Sequence, residues 1–160
     1  MTHNLKKFFK GFVYAFSGFI GSIRTERNMR FHIGAAIYVI CFMYGFYDLR
    51  ASQKAAVFIC IALVISAELF NTAIENACDM ACGGKKDSRA KTAKDCAAAA
   101  VLIVSVAAFI TGILIFWDTS AFSRIYDYYS SHVISLIFLI MSLVAWVIWI
   151  LSTKGKKKNE

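Results

Sequence analysis

The chain has 160 residues, 59% of them hydrophobic and 18% charged, with a mean hydropathy of +0.59, too apolar a balance for an ordinary soluble domain. Eighteen Lys and Arg stand against 10 Asp and Glu, and in so apolar a chain a basic excess points to membrane topology before nucleic acid. Composition also excludes a disordered, collagenous or disulfide-framed chain: there is no proline, and the five cysteines lie in or beside apolar runs as small packing residues.

In chain order, residues 5–23 place Phe8, Phe9, Phe12, Phe16, Phe19 and Ile23 at three- and four-residue spacing, with Lys6, Lys7 and Lys10 on the polar side. This pattern predicts an amphipathic helix lying in the membrane interface. Lysines interrupt the aromatic stripe and no small-residue cleavage site precedes a soluble domain, so the segment does not read as a secretory signal. Apolar runs then occupy residues 31–47, 55–81, 97–117 and 133–151, which predict four spanning helices. The first run sits at the lower length limit for a span and can extend backward through Asn28 and Met29.

The cations set the orientation. Lys6, Lys7, Lys10, Arg24, Arg27 and Arg30 precede the first span; Lys85, Lys86, Arg89, Lys91 and Lys94 follow the second; Lys154, Lys156, Lys157 and Lys158 end the chain. The other side holds Arg50, Lys54 and Arg124. Fifteen against three predicts that both termini and the loop after the second span are cytoplasmic, with short outer loops near Asp48 and Ser123. Tyr126, Tyr128 and Tyr129, with Trp117, suit an interfacial aromatic belt.

The second span carries the chemistry. Glu68, Asn71, Thr72, Glu75 and Asp79 interrupt an otherwise apolar helix. At about 100° per residue, with Glu68 at zero, Asn71 falls near −60°, Thr72 near +40°, Glu75 near −20° and Asp79 near +20°, so all share one face. An acid at the bilayer centre opposes insertion by about 2.5 to 3.5 kcal/mol, so an aligned set calls for a compensating role. Glu68 lies eleven residues from Asp79, roughly 16 Å along the helix axis, which puts it inside the cytoplasmic half of the bilayer.

The same end of the bundle receives Glu26, just before the first span, and the Lys94-Asp95 pair, at the start of the third. Carboxylate oxygens of Glu26 and Glu75 are hard donors suited to Mg²⁺, which binds one or two carboxylates together with substrate phosphates. Lys94 reads either as a phosphate-holding point charge or as one more cytoplasmic lysine. Ala97 to Ala100 form a small-residue run that favours close helix packing. No GxxxxGK[ST], GxGxxG or CxxC motif occurs, and Gly83 and Gly84 read as a helix stop in preference to a phosphate cradle.

Two segments carry a specific resemblance. Glu68-x-x-Asn71-x-Ala73-Ile74-Glu75-x-x-x-Asp79, followed by Ala93-Lys94-Asp95-x-Ala97-Ala98-x-Ala100-Val101, resembles the prokaryotic diacylglycerol kinase and undecaprenol kinase family. The resemblance extends back through Tyr14, Gly18 and Glu26-Arg27-Asn28-Met29-Arg30. It implies an all-α integral membrane lipid kinase of the bacterial inner membrane, typically a homotrimer with active sites shared between subunits, using ATP as co-substrate and Mg²⁺ as cofactor, with no nucleic-acid partner. Carried onto this chain, it makes Glu68 the catalytic base and Glu26 and Glu75 the metal ligands. Lys7, Tyr14, Glu26, Asn71, Glu75, Asp79, Lys94 and Asp95 fall on ATP-site positions, and Phe16, Glu68 and Ala98 on lipid-binding ones. It divides the chain into an N-terminal segment with the interfacial helix at 1–30, a three-helix kinase core at 31–117, and an outer loop, an added fourth span and a basic tail at 118–160. The loop between Asp79 and Lys94 departs from the family, lacking its frequent Tyr-His pair.

Two other function classes compete. A proton or cation transport subunit would use the carboxylate stripe as a path, but residues 55–67 contribute only Ser66 as a polar group in the membrane, so the stripe ends blind. A structural scaffold would depend on the fourth helix or the tail and tolerate loss of the Glu68 charge.

Overall fold

The computed structural model describes residues 2–83 and 85–152, with side chains from Lys7 onward. The Lys6 side chain, Gly84 and the basic tail of Lys154, Lys156, Lys157 and Lys158 lie outside the described residues. Those described form six helices and no strand: α1 (Thr2–Thr25), α2 (Arg27–Phe46), α3 (Ala51–Cys82), α4 (Ser88–Phe116), α5 (Thr119–Ser131) and α6 (Val133–Leu151). α2, α3, α4 and α6 are long and apolar enough to cross a membrane, matching the four predicted spans.

The helix boundaries have local causes. Glu26 is the only residue between α1 and α2, and its extended backbone (φ −103°, ψ 124°) breaks one helix and starts the next. α2 therefore begins at Arg27, earlier than the apolar run, and reaches 20 residues. α3 has 32 residues, about 48 Å at 1.5 Å per residue, so one end must project well past a hydrocarbon layer of roughly 30 Å. It stops at Gly83, whose φ of +53° is left-handed, a conformation other residues rarely adopt. Asp87 then starts α4 by accepting the Arg89 and Ala90 amides at 2.7 and 3.3 Å.

The segment expected as an outer loop near Ser123 is instead the helix α5. Asp118 caps it, its carboxylate accepting the Ser120 amide at 2.9 Å and the Ser120 hydroxyl at 2.7 Å. Arg124 then donates from Nε and Nη2 to the Phe46 carbonyl at 3.0 and 2.8 Å, satisfying an end of α2 that has no helical partner of its own. Tyr128 and Tyr129 pack on the Phe46 ring at 5.5 and 5.8 Å between centroids. Two of the tyrosines expected in an interfacial belt, Tyr128 and Tyr129, thus hold α5 across the end of α2, while Tyr126 is exposed.

Little of the molecule is internal. The buried apolar side chains are Met29, Met43, Val57, Val64, Ala97, Val101 and Ala121, and α3 with α4 forms the most extensive helix pair. Ala97, buried on α4, lets those backbones approach. α4 exposes Leu102, Ile103, Phe109 and Leu114, and α6 exposes Ile134, Phe138 and Met141. Apolar surface on that scale suits lipid or another subunit.

The Ser120 hydroxyl, chiefly, holds the Asp118 carboxyl below its ordinary 3.8. A carboxyl depressed in the folded state contributes stability that is complete above its unfolded value and disappears as the pH falls through the folded one. Amide exchange over residues 120–124 is therefore expected to be faster in Asp118→Ala at neutral pH. Correcting for intrinsic exchange, acidification should accelerate it in the unmodified chain and leave the variant unchanged; equal protection in both proteins contradicts the cap.

Candidate active site

Glu68 is the largest anomaly of the core: a carboxylate 2% exposed, on a helix whose outer half is apolar. Its Oε2 atom is buried and has no hydrogen-bond partner. Three groups act on it: the carboxylates of Glu26 and Glu75 and the side-chain amide of Asn28. Three acids gathered at a low-dielectric site repel one another and oppose burial unless a cation or a proton joins them.

The surrounding groups order this cluster. Asn71, 6% exposed, donates from Nδ2 to Glu75 Oε1 at 2.9 Å, the i to i+4 contact that one helix face provides. Its Oδ1 is buried and accepts no hydrogen bond. Thr72 donates to the Glu68 carbonyl at 3.0 Å, which leaves its oxygen to accept Ser22 Oγ of α1 at 3.3 Å. That buried hydroxyl pair ties α1 to the acidic face of α3. One turn nearer the end of α3, Lys94 of α4 donates to Asp79 and has Glu75 within electrostatic range. Both partners remain partly exposed.

The helical arithmetic of the sequence therefore survives in three dimensions: Glu68, Asn71 and Thr72 are buried together, Glu75 is half-buried and Asp79 exposed. Glu26 arrives from the α1–α2 corner as expected, and Lys94 from α4. Other expected site residues are not drawn in by this single chain. Tyr14 and Phe16 are 70% and 68% exposed on α1, and Lys7, Asp95 and Ala98 are also exposed. Ser22 and Asn28 were not singled out for the site from sequence. Ser22, three residues after Phe19 at the edge of the aromatic stripe, carries no signal of its own in the sequence, and Asn28 lies among basic residues.

An apolar groove of about 550 Å³ begins beside Val64 and Ile65, one turn from Glu68, and runs between α2, α3 and α4 past Val39 and Phe109 to Tyr47 and Trp117. Phe31 and Tyr47 mark its length along α2, about 24 Å by helical rise. The arrangement is a buried acid where an acidic corner meets an apolar groove. Among the described residues no three His, Cys, Asp or Glu side chains form a metal cage, so a divalent ion here would take one or two carboxylates and complete its shell with water and phosphate, the habit of Mg²⁺. The unsatisfied oxygens of Glu68 and Asn71 fit a site built to receive a cationic or donor group.

The Ser22–Thr72 link is testable by a double-mutant cycle. Ser22→Ala and Thr72→Val should each lower stability by about 1 kcal/mol, and the pair together by little more than either alone. Denaturation in detergent measures this, and fully additive losses contradict the link.

Comparison with known proteins agrees with this chemistry. The family model described as Prokaryotic diacylglycerol kinase matches residues 13–116, ending where α4 ends, so that α5 and α6 lie beyond it. The chain is 42% identical over 115 residues to an undecaprenol kinase of Bacillus subtilis (strain 168), covering 71% of this chain and 91% of that protein. It is 39% identical over 101 residues to a diacylglycerol kinase of Synechocystis sp., covering 63% of this chain and 57% of that protein. No solved structure matches the chain. On these matches the chain belongs to the prokaryotic diacylglycerol kinase family, as an integral-membrane lipid kinase.

Proposed function

We propose that the chain transfers the γ-phosphate of ATP to the hydroxyl of a membrane lipid alcohol, with undecaprenol preferred over diacylglycerol, at the cytoplasmic face of a bacterial inner membrane. The observation that carries this is Glu68: buried, with Oε2 unsatisfied, between the acidic cluster and the groove. The lipid hydroxyl reaches Glu68 with its hydrocarbon lying along the groove. Glu68 takes the hydroxyl proton, the freed oxygen forms a bond to the γ-phosphorus, and the bond from that phosphorus to its bridging oxygen breaks to release ADP. Glu26 and Glu75 hold Mg²⁺, which when bound neutralises charge on the triphosphate. Asn71 orients Glu75, and Lys94 exchanges Asp79 for a phosphate oxygen. The family resemblance assigns Asp79 and Asp95 to the ATP site as well.

The undecaprenol preference is supported by the Arg27-Asn28-x-Arg30 context and by the name of the Bacillus relative. Topology follows from the cations: Arg24, Arg27, Lys85, Lys86 and Arg89 share the end that holds Glu26 and Asp79, and both termini belong there. A homotrimer is supported by the apolar faces of α4 and α6 and by the exposure of Lys7, Tyr14, Phe16, Asp95 and Ala98. In it, neighbouring subunits would supply the lipid- and nucleotide-covering contacts that one chain lacks. The cation-path alternative finds no support beyond Glu68, where the groove is lined almost wholly by apolar side chains.

Purified protein in nanodiscs, given Mg-ATP and either undecaprenol or diacylglycerol, tests the proposal by formation of the phosphorylated lipid; product from neither contradicts it. Glu68→Gln should lower kcat by about 10³-fold while Mg-ATP binding persists. Glu75→Gln should instead weaken Mg-ATP binding by about tenfold or more. The reverse pattern would exchange the two roles.

A further inference from the structure

Arg30 is buried to 9% exposure and joins three helices. Its Nε donates to the Ile23 carbonyl at 2.8 Å and Nη2 to the Arg24 carbonyl at 2.9 Å, both in the last turn of α1. Its Nη1 donates to the Trp149 carbonyl at 2.7 Å and to Ser152 Oγ at 3.1 Å, at the end of α6. The guanidinium also lies over the Trp149 ring, 5.4 Å from its centroid. The last four carbonyls of a helix lack intrahelical donors and carry the negative end of its dipole. One rigid five-donor fork thus satisfies two such ends at once. Among the described residues the α1 and α6 backbones make no close approach, and Arg30 bonds the ends of both.

α6 is held in register along the same face of α2. The Trp146 ring fills the space over Gly34, where an added Cβ would stand 1.8 Å from its Nε1. That ring stacks on Phe31 at 5.6 Å and packs on Tyr38 at 5.2 Å, and its Nε1 donates to the Arg30 carbonyl at 3.3 Å. One turn along, Tyr38 donates to Ser142 at 2.9 Å. Positions 30, 34 and 38 of α2 thereby read successive turns of α6. The α1 carbonyls that Arg30 grips lie within three residues of Glu26 and beside Ser22, which binds Thr72 on the acidic face.

We infer that α6, which lies outside the matched family region, is a brace that sets the position of Glu26 through Arg30, making Arg30 a positioning residue for Mg-ATP. This rests on the proposed role of Glu26 as a metal ligand. The brace works mechanically: α6 fixes Arg30, Arg30 fixes the end of α1, and the single extended residue that follows presents its carboxylate to Glu68.

The test uses full-length protein in nanodiscs, comparing Trp146→Ala, Gly34→Ala and Arg30→Lys with the conservative Trp146→Phe, by amide exchange and by steady-state kinetics. Exchange over residues 20–28 should rise in the first three while α3 and α4 keep their protection. KM for Mg-ATP should rise about tenfold with kcat within about twofold. Trp146→Phe should recover most of both, and Gly34→Ala added to Trp146→Ala should change nothing more, because the ring it displaces is gone. Unchanged exchange at 20–28, a KM that does not move, or loss of protection throughout the bundle overturns the inference. If the unmodified protein phosphorylates no lipid, the kinase assignment falls, and the brace is decided by exchange alone: a rise confined to 20–28 supports it and no rise overturns it.

Discussion

The structure turns on one unfavourable placement: the Glu68 carboxylate is buried within a membrane-spanning helix, in the company of Glu26 and Glu75. No basic side chain among the described hydrogen bonds and ion pairs neutralises it. Like charges in a low-dielectric setting repel and oppose burial, so a proton or a cation must relieve the cluster. In the proposed reading Mg²⁺ and its phosphates would supply that cation, without the glycine-rich loop that this chain lacks. Phosphoryl transfer asks mainly for position and charge neutralisation, and a short helical chain can provide both.

Position comes from helix ends. α3 is longer than a hydrocarbon layer, and along it Asp79 is exposed and Glu75 half-buried, while Glu68 is buried one turn from the apolar groove. The single extended residue Glu26 separates α1 from α2 and brings its carboxylate within electrostatic reach of Glu68. Arg30 bonds the last turn of α1 to α2, and Ser22 bonds α1 to Thr72 of α3 at that corner. The geometry of the acidic corner thus depends on contacts among helix termini as much as on the acids themselves.

Much of this was legible in the sequence because membrane helices obey two simple periodicities. Hydropathy located the spans, and 3.6-residue geometry placed Glu68, Asn71, Thr72 and Glu75 on one face, as found. Gly83 announced the end of α3 through its backbone freedom. What escaped were contacts between distant segments. Arg30 beside a span reads as one more topology-setting cation, and its fork across two helix ends is invisible without the fold. The cap of α5 at Asp118 is local, but its anchor, Arg124 on the Phe46 carbonyl, joins segments far apart in the chain and leaves no mark in the sequence. The notch at Gly34 has meaning only once Trp146 fills it. Lys7, Tyr14, Phe16, Asp95 and Ala98 carry a family signal, yet one chain alone leaves them on its surface.

The most direct examination of the acidic corner is spectroscopic. With Mn²⁺ replacing Mg²⁺, nucleotide added and the glutamate side-chain carboxyl carbons labelled with ¹³C, electron–nuclear double resonance should show nucleotide ³¹P and carboxylate ¹³C coupled to the same ion, with the carbon coupling reduced in Glu26→Gln. Phosphorus coupling with no carboxylate carbon would mean that the metal rides on the nucleotide alone and that the gathered acids do not hold it.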